Sequence, residues 1–262
     1  MDRLAGVGVL VTRPEHQAHG LCRLIEAEGG SAVQFPALEI RAAPDRPAIR
    51  AAVGPIDRYH LVVFVSANAV RFGADLLGER RGLRIAAIGR ATSQALNAAG
   101  HHVSVLPAGG SDSEALLGSH ELQHMSGQRV LIVRGKGGRE LLGETLVGRG
   151  AEVVYAEVYE RHAARPTRAA LEELEALWRH GGVDVYTATS GDLLESLVGI
   201  VTPRCRELMD STALVTGAAR VADRAARLGL GSPVILADGP EDELLVAALV
   251  RWHDARVQRG QP

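Results

Sequence analysis

The residues best suited to chemistry form one run, Arg134-Gly135-Lys136-Gly137-Gly138-Arg139-Glu140, directly after the apolar stretch Val-Leu-Ile-Val. Three cations alternate with three glycines. Glycine lets backbone approach a ligand closely, and free N–H groups where a helix opens attract anions. The spacing resembles a dinucleotide fingerprint, but Glu140 stands where the third glycine belongs, and a carboxylate repels a pyrophosphate. Glu157 lies near the spacing at which an acidic residue takes a ribose hydroxyl. A nicotinamide-dependent oxidoreductase is therefore a rival reading that Glu140 argues against. Walker A spacing is absent from the sequence.

The same kind of junction recurs at Thr12-Arg13-Pro14, Ser66-Ala67-Asn68, Gly89-Arg90-Ala91-Thr92, Ser190-Gly191 and Thr216-Gly217. Each closes an apolar run and opens an amphipathic one, which is where open α/β sheets bind ligands. One such junction is an ordinary helix cap. The set suits a ligand with several negative groups, held mainly by backbone amides. Other chemistry lacks its residues. Among the 10 histidines neither His101-His102 nor His16 with His19 has a third ligand at metal-binding spacing, no Cys/His cluster occurs and no GxSxG elbow occurs, so neither a metal nor serine catalysis is expected. Glu172, Glu173 and Glu175 read as a solvated helix face beside Arg168 and Arg179.

The elements that would position these junctions follow an α/β rhythm. Apolar runs at Val7–Val11, Leu61–Val65, Ile85–Ile88, Val103–Leu106, Val130–Val133, Val153–Tyr155, Val183–Tyr186, Ala213–Val215 and Val234–Leu236 read as strands. Glu15–Glu28, Ala69–Leu77, Ala91–Ala99, Arg139–Gly148 and Ala218–Leu228 read as helices. Doubly wound parallel sheets follow. The stretches Ala42–Pro55, with its three prolines, and His162–Arg168 read as surface connections.

An internal repeat predicts two similar lobes. The segment from Val9 matches that from Val130, with Gly30 set against Gly150 at the late end. A second pairing sets Val65-Ser66-Ala67-Asn68 against Thr189-Ser190-Gly191-Asp192, and a third aligns the runs ending at Gly100 and Gly229.

With 262 residues the chain is long enough for about two domains. Its 46% hydrophobic and 23% charged residues are a globular composition. A net charge of -2 and 3% aromatics supply neither a basic field nor stacking platforms, which excludes nucleic acid as an expected partner. The longest late apolar stretch, Leu244–Val250, is too short to span a bilayer, and no targeting segment is evident. Cys22 and Cys205 read as reduced core residues.

At the same residues the chain resembles the uroporphyrinogen-III synthases. The likeness runs nearly end to end. It is carried by VLIVRGKGGRELLGETLVGRGAEVVYAEVYER, VLVTRPEHQA, FVSANAV, AAIGRATSQAL, TSGDLLESL and VTGAARVADRAARLG. Thr216-Gly217-Ala218-Ala219-Arg220 is the loosest of these matches.

The resemblance implies two α/β lobes. One is discontinuous, over 1–37 and 162–262, and one is inserted, over 42–155, with 36–41 and 156–161 as linker strands. It also implies an interlobe cleft that binds a linear tetrapyrrole carrying eight carboxylates, without metal or nucleotide. The reaction it implies converts hydroxymethylbilane to uroporphyrinogen III with loss of water, through an azafulvene and a spiro intermediate that inverts the last ring. Tyr159 maps to a tyrosine suited to protonate the leaving hydroxyl, while Ser66 and Thr92 map to cleft positions. With Thr12, Arg13, Asn68, Arg134, Gly135, Lys136, Gly137, Gly138, Arg139, Ser190 and Gly191 they make the expected substrate-binding set. A cytoplasmic monomer in transient contact with the enzyme that makes its substrate is the implied setting. A non-catalytic two-lobe protein that binds or senses a tetrapyrrole or another polycarboxylate is the rival from another class.

Overall fold

The structure, a computed structural model, describes residues 2–78 and 82–259. From the N-terminus, β1 (Gly8–Val11) is buried throughout, as a strand covered on both faces must be. In α1 (Glu15–Ala27) the residues Ala18, Leu21, Cys22 and Ile25 recur at helical spacing and form the buried stripe. Gly29, at φ 82°, then turns the chain into β2 (Ser31–Gln34), and β3 (Leu38–Ala42) follows.

The middle of the chain forms α2 (Arg46–Val53), β4 (Leu61–Phe64), α3 (Ala67–Gly73), β5 (Arg84–Ala87), α4 (Arg90–Ala98), α5 (Ser113–Leu117), β6 (Arg129–Gly135), α6 (Leu141–Gly148) and β7 (Glu152–Ala163). Two expectations fail here. The stretch Ala42–Pro55 is not a bare connection, because α2 forms within it. The Asp45 side chain accepts the Ala48 N–H, and Pro47 falls in the first turn, where a missing N–H leaves no bond unmade. The run Val103–Leu106 makes only an isolated bridge, Val105 to Ala86. Pro107 follows directly and has no N–H to extend a ladder.

The last third supplies α7 (Arg168–Arg179), β8 (Val185–Thr187), α8 (Gly191–Ile200), α9 (Pro203–Ser211), β9 (Ala213–Thr216), α10 (Ala219–Arg227), β10 (Val234–Leu236) and α11 (Asp242–Gln258). Among the described residues no helix is long and apolar enough to cross a membrane.

The chain divides into two compact units, Met1–Glu39 with His162–Pro262, and Ile40–Arg161. The first holds a sheet ordered β10-β9-β8-β1-β2, and the second a sheet ordered β3-β7-β6-β4-β5. All pairs in the first sheet are parallel, as are β4 with β5, β4 with β6 and β6 with β7 in the second. β3 and β7 carry the two crossings. The Ala43 N–H bonds to the Val158 carbonyl and the Ala164 N–H to the Ala37 carbonyl, so these two strands run in opposite directions.

Each sheet is covered on both faces. In the first unit α7, α8, α9 and α10 close one apolar cluster and α1 with α11 the other; in the second, α2, α3 and α4 face α5 and α6 across the sheet. Each fully buried Leu, Ile or Val of these clusters contributes about 1.5–3 kcal/mol. Cys22 and Cys205 are buried free thiols within them.

The repeat read from the sequence has a spatial counterpart. Setting β1, β2, β8 and β9 against β6, β7, β4 and β5 makes the order β2-β1-β8-β9 identical to β7-β6-β4-β5. The register Gly8 to Ser31 corresponds to Arg129 to Glu152, so the glycine equivalent to Gly150 is Gly29 rather than Gly30. Both have positive φ and turn a helix end into a strand.

Candidate functional site

In each sheet the strand order reverses at one place, between β4 and β6 in the second unit and between β1 and β8 in the first. Crevices beyond the carboxyl ends of such strand pairs are where open α/β sheets take ligands. The residues there are Ser66 and the run from Arg134 in one unit, and Thr12, Arg13, Ser190 and Gly191 in the other.

In the second unit the glycine run is built around Tyr159. The register of β6 against β7 shifts between Arg134 and Gly135, which brings Gly135 opposite Tyr159. The Lys136 N–H then donates to the Tyr159 carbonyl at 2.9 Å. The Tyr159 ring packs against Phe72, with centroids 6.1 Å apart, and the residue is only 1% exposed. Its hydroxyl lies 3.1 Å from Ser66 Oγ and accepts from Arg161 Nη2 at 3.1 Å. Ser66 is the N-cap of α3 and accepts the Ala69 N–H at 2.9 Å.

Arg134 braces the run from inside. Its guanidinium donates to Glu157 Oε1 at 3.2 and 3.0 Å, to Glu140 Oε1 at 2.8 Å, and to the Gly138 and Arg139 carbonyls at 3.4 Å. It also stacks 4.1 Å over the Tyr155 ring centroid. Burial opposes the Arg134 charge, but the bonds to Glu140 and Glu157 outweigh it and raise its pKa. The Glu140 carboxyl is held below its ordinary value, first by Arg134 and then by the Tyr155 hydroxyl. Tyr155 is pushed up by burial and by that bond to Glu140.

Lys136 pairs with Glu160 at 3.0 Å, which raises its pKa, and Arg139 pairs with Glu114 at 3.2 Å. Gly137, at φ 72°, has nothing within 4 Å of an added Cβ, so it is an open left-handed turn at the tip. Thr92, 3% exposed, and the half-buried Asn68 lie in the first turns of α4 and α3. Gly89 caps α4 without any side-chain bond, which leaves first-turn amides of that helix uncapped by a side chain.

In the first unit the Thr12 hydroxyl donates to the Thr187 carbonyl, and the Thr187 hydroxyl donates to the Leu10 carbonyl at 3.2 Å. Thr12 therefore ties β1 to β8. Arg13 pairs with Asp242 and donates to the Pro240 carbonyl at 3.2 Å. Ser190 caps α8 by accepting the Leu193 N–H at 3.2 Å, the same role that Ser66 has in α3. Thr216 Oγ1 accepts the Ala218 N–H at 3.3 Å.

The structure thus brings Ser66, Gly135, Lys136 and Tyr159 together and spends the Thr12 and Arg134 side chains inward. Arg161 was missed by sequence reasoning, although it stands two residues after Tyr159 on one strand, where side chains share a face. Glu157, the candidate ribose ligand of the oxidoreductase reading, is instead a partner of Arg134. Among the described residues no group of three or more His, Cys, Asp or Glu side chains converges to hold a metal.

A family model described as Uroporphyrinogen-III synthase HemD matches residues 20–247. The uroporphyrinogen-III synthase of Salmonella typhimurium (strain LT2) is 36% identical over 250 residues, covering 93% of this chain and 100% of the relative. That of Escherichia coli (strain K12) is 33% identical with the same coverage. Solved structures show the same fold. The uroporphyrinogen-III synthetase of Helicobacter pylori 26695 superposes with a TM-score of 0.63 at 13% identity, over 94% of this chain and 99% of that one. A mutant uroporphyrinogen III synthase of Thermus thermophilus gives 0.56 at 20% identity, over 97% and 100%.

Proposed function

The chain belongs to the uroporphyrinogen-III synthase family, and from that membership we infer that it closes linear hydroxymethylbilane into uroporphyrinogen III. It is a cyclising lyase that needs no cofactor. Water is lost from the terminal hydroxymethyl group, the resulting azafulvene is attacked at the substituted carbon of the far pyrrole, and a spiro intermediate fragments and recloses with the last ring inverted. The observation that carries this reading is the match to relatives over their whole length.

The site geometry suggests how this chain contributes. Uncatalysed closure favours the uninverted isomer, so positioning both chain ends is the first task. Backbone amides of the run from Gly137 to Arg139, beyond the Lys136 N–H that is spent on the Tyr159 carbonyl, and of the first turns at Asn68 and Thr92 are donors for the substrate's carboxylates. Lys136 and Arg139 add charge at the same rim, and Arg134 serves by fixing the shape of the run. Thr12, Arg13, Ser190 and Gly191, at the corresponding strand ends of the other sheet, are proposed anion sites of the same kind. Tyr159, whose phenolic hydroxyl is a hydrogen-bond donor, is the proposed source of the proton for the leaving hydroxyl. The reading extends to a cytoplasmic monomer that takes its labile substrate from the preceding enzyme by transient contact, without nucleic acid or membrane.

The test is to incubate dialysed protein with freshly generated hydroxymethylbilane and separate the product isomers. Isomer III above the blank is expected, with or without chelator; isomer I alone would overturn the reading.

A further inference from the structure

We propose that Ser66 is the catalytic residue whose hydroxyl hands the proton to the substrate, with Tyr159 and Arg161 behind it as positioning residues that supply and steady that proton. The proposal deepens the functional reading above and rests on it.

Donors and acceptors around the Tyr159 and Ser66 hydroxyls set the direction of the bond between them. A hydroxyl has one hydrogen to give and two lone pairs to fill. Among the described residues the Tyr159 oxygen receives an N–H from Arg161, a donor only, and its other hydrogen-bond partner is Ser66 Oγ at 3.1 Å. Ser66 Oγ already accepts the Ala69 N–H. If Ser66 donated to Tyr159, the phenolic hydrogen would be stranded in a residue that is 1% exposed. Buried polar groups avoid that state. With Tyr159 donating to Ser66 instead, both serine lone pairs are filled and the serine hydrogen is left to point away from the protein interior.

Exposure agrees with this direction. Tyr159 is closed in by Phe72, Gly135 and Ser66, whereas Ser66 is half-buried at the end of β4, beside the place where the strand order reverses. The group within reach of a ligand there is the serine.

The step balances. The Ser66 proton moves to the leaving oxygen as the C–O bond breaks with its electron pair on oxygen, and water departs. The pyrrole nitrogen lone pair feeds the new exocyclic double bond. The Tyr159 proton moves to Ser66 Oγ, and the phenolate so formed keeps its N–H bond from Arg161. The proton that the substrate gives up on ring closure returns to Tyr159, so the enzyme ends unchanged.

The experiment compares Ser66→Gly, Ser66→Thr, Tyr159→Phe and the double variant Ser66→Gly/Tyr159→Phe. Glycine is nearly as good a helix cap as serine, so Ser66→Gly removes the hydroxyl while sparing α3; threonine restores both hydroxyl and cap. Ser66→Gly should lower kcat by about 10-fold or more with little change in KM, and Ser66→Thr should return it to within about 3-fold of the parent. The double variant should be no more than about 2-fold worse than the poorer single variant, because residues acting in series fail as a unit. Ser66→Ala, checked for folding by circular dichroism, provides a second hydroxyl deletion should glycine loosen the helix. Normal turnover in a folded hydroxyl-deletion variant beside an impaired Tyr159→Phe would overturn the relay and return the substrate contact to Tyr159. Multiplicative losses, or failure of threonine to rescue, would overturn it as well. A parent protein that makes no isomer III would remove the functional reading itself, and the relay with it.

Discussion

A Cβ added at Gly135 would come within 2.5 Å of the Tyr159 ring, so the glycine and the phenol occupy adjoining space with no room for a methyl group between them. The next amide, Lys136 N–H, is bonded to the Tyr159 carbonyl. The loop proposed to hold carboxylates and the phenol proposed to supply a proton are thereby fixed to each other. Displacing one displaces the other.

Gly135→Ala should therefore damage catalysis more than stability. Overpacking a filled site costs about 1–3 kcal/mol, which for a protein of this size lowers Tm by roughly 2–4 °C per kcal/mol. The expected result is a Tm lower by several degrees together with a kcat reduced about 10-fold or more, since the ring must tilt away from Ser66. A stability loss with unchanged kcat would show that the ring and the loop are independent.

At Gly137 the constraint is conformational. Its φ of 72° is unfavourable for a branched side chain, while the space around it is open. Gly137→Val should therefore reshape the loop tip, with strain of about 1–3 kcal/mol confined to the surface. Product affinity by titration should fall about 10-fold while the circular dichroism spectrum is retained. Unchanged affinity would reduce the run to a helix lead-in.

Arg134 holds two carboxylates and two carbonyls with one planar group, a task beyond the single ammonium of lysine. Arg134→Lys should raise KM about 10-fold and change kcat far less, because the amides are misplaced while the proton donor stays. Steady-state kinetics decide between this and a role in the chemical step, which would lower kcat instead.

The Glu140 carboxyl makes that brace sensitive to acid. Its folded pKa lies below the ordinary 4.5, because of Arg134 and then Tyr155. A depressed carboxyl contributes stability that is complete above its ordinary value and lost as pH falls through the folded one. Glu140→Gln should be less stable than the parent at neutral pH, and the difference should shrink as pH falls below 4.5. Melting curves at stepped pH measure it; a constant difference would mean that the charge contributes nothing.

How much of this was legible in the sequence depended on whether the signal was local. Leu61–Phe64 and Ala213–Thr216 announced themselves as continuous apolar runs because each is buried on both faces. The repeat carried the equivalence of Ser66 and Ser190, and both prove to be helix caps. Asp45 and Pro47 hid a helix start inside what read as proline punctuation, since proline breaks a helix only past its first turn. The partners of the loop cations were not legible. Glu114 and Glu160 are brought to Arg139 and Lys136 by tertiary packing, and Asp242 reaches Arg13 from the far end of the chain, so no spacing rule pairs them. Arg161 was legible in principle, through the two-residue period that places it beside Tyr159.

Tyr159→Phe isolates the hydroxyl. The ring that fits against Gly135 and Phe72 is kept, and the strand pairing does not involve the side chain, so the fold and the loop should be unchanged. What is lost is the bond to Ser66 and the acceptor for Arg161. General acid assistance is worth about 10²- to 10⁴-fold, but the Ser66 hydroxyl remains and solvent can recharge it, so a loss of about 10-fold or more in kcat is expected, with product affinity within about 3-fold. The amides that position the two chain ends are untouched, and inversion is governed by position. The residual product should therefore be mostly isomer III, formed slowly. Separating the isomers made by the variant decides the matter: a shift toward isomer I would mean that the hydroxyl governs geometry as well as the proton, and normal turnover would make Tyr159 a packing residue of its strand.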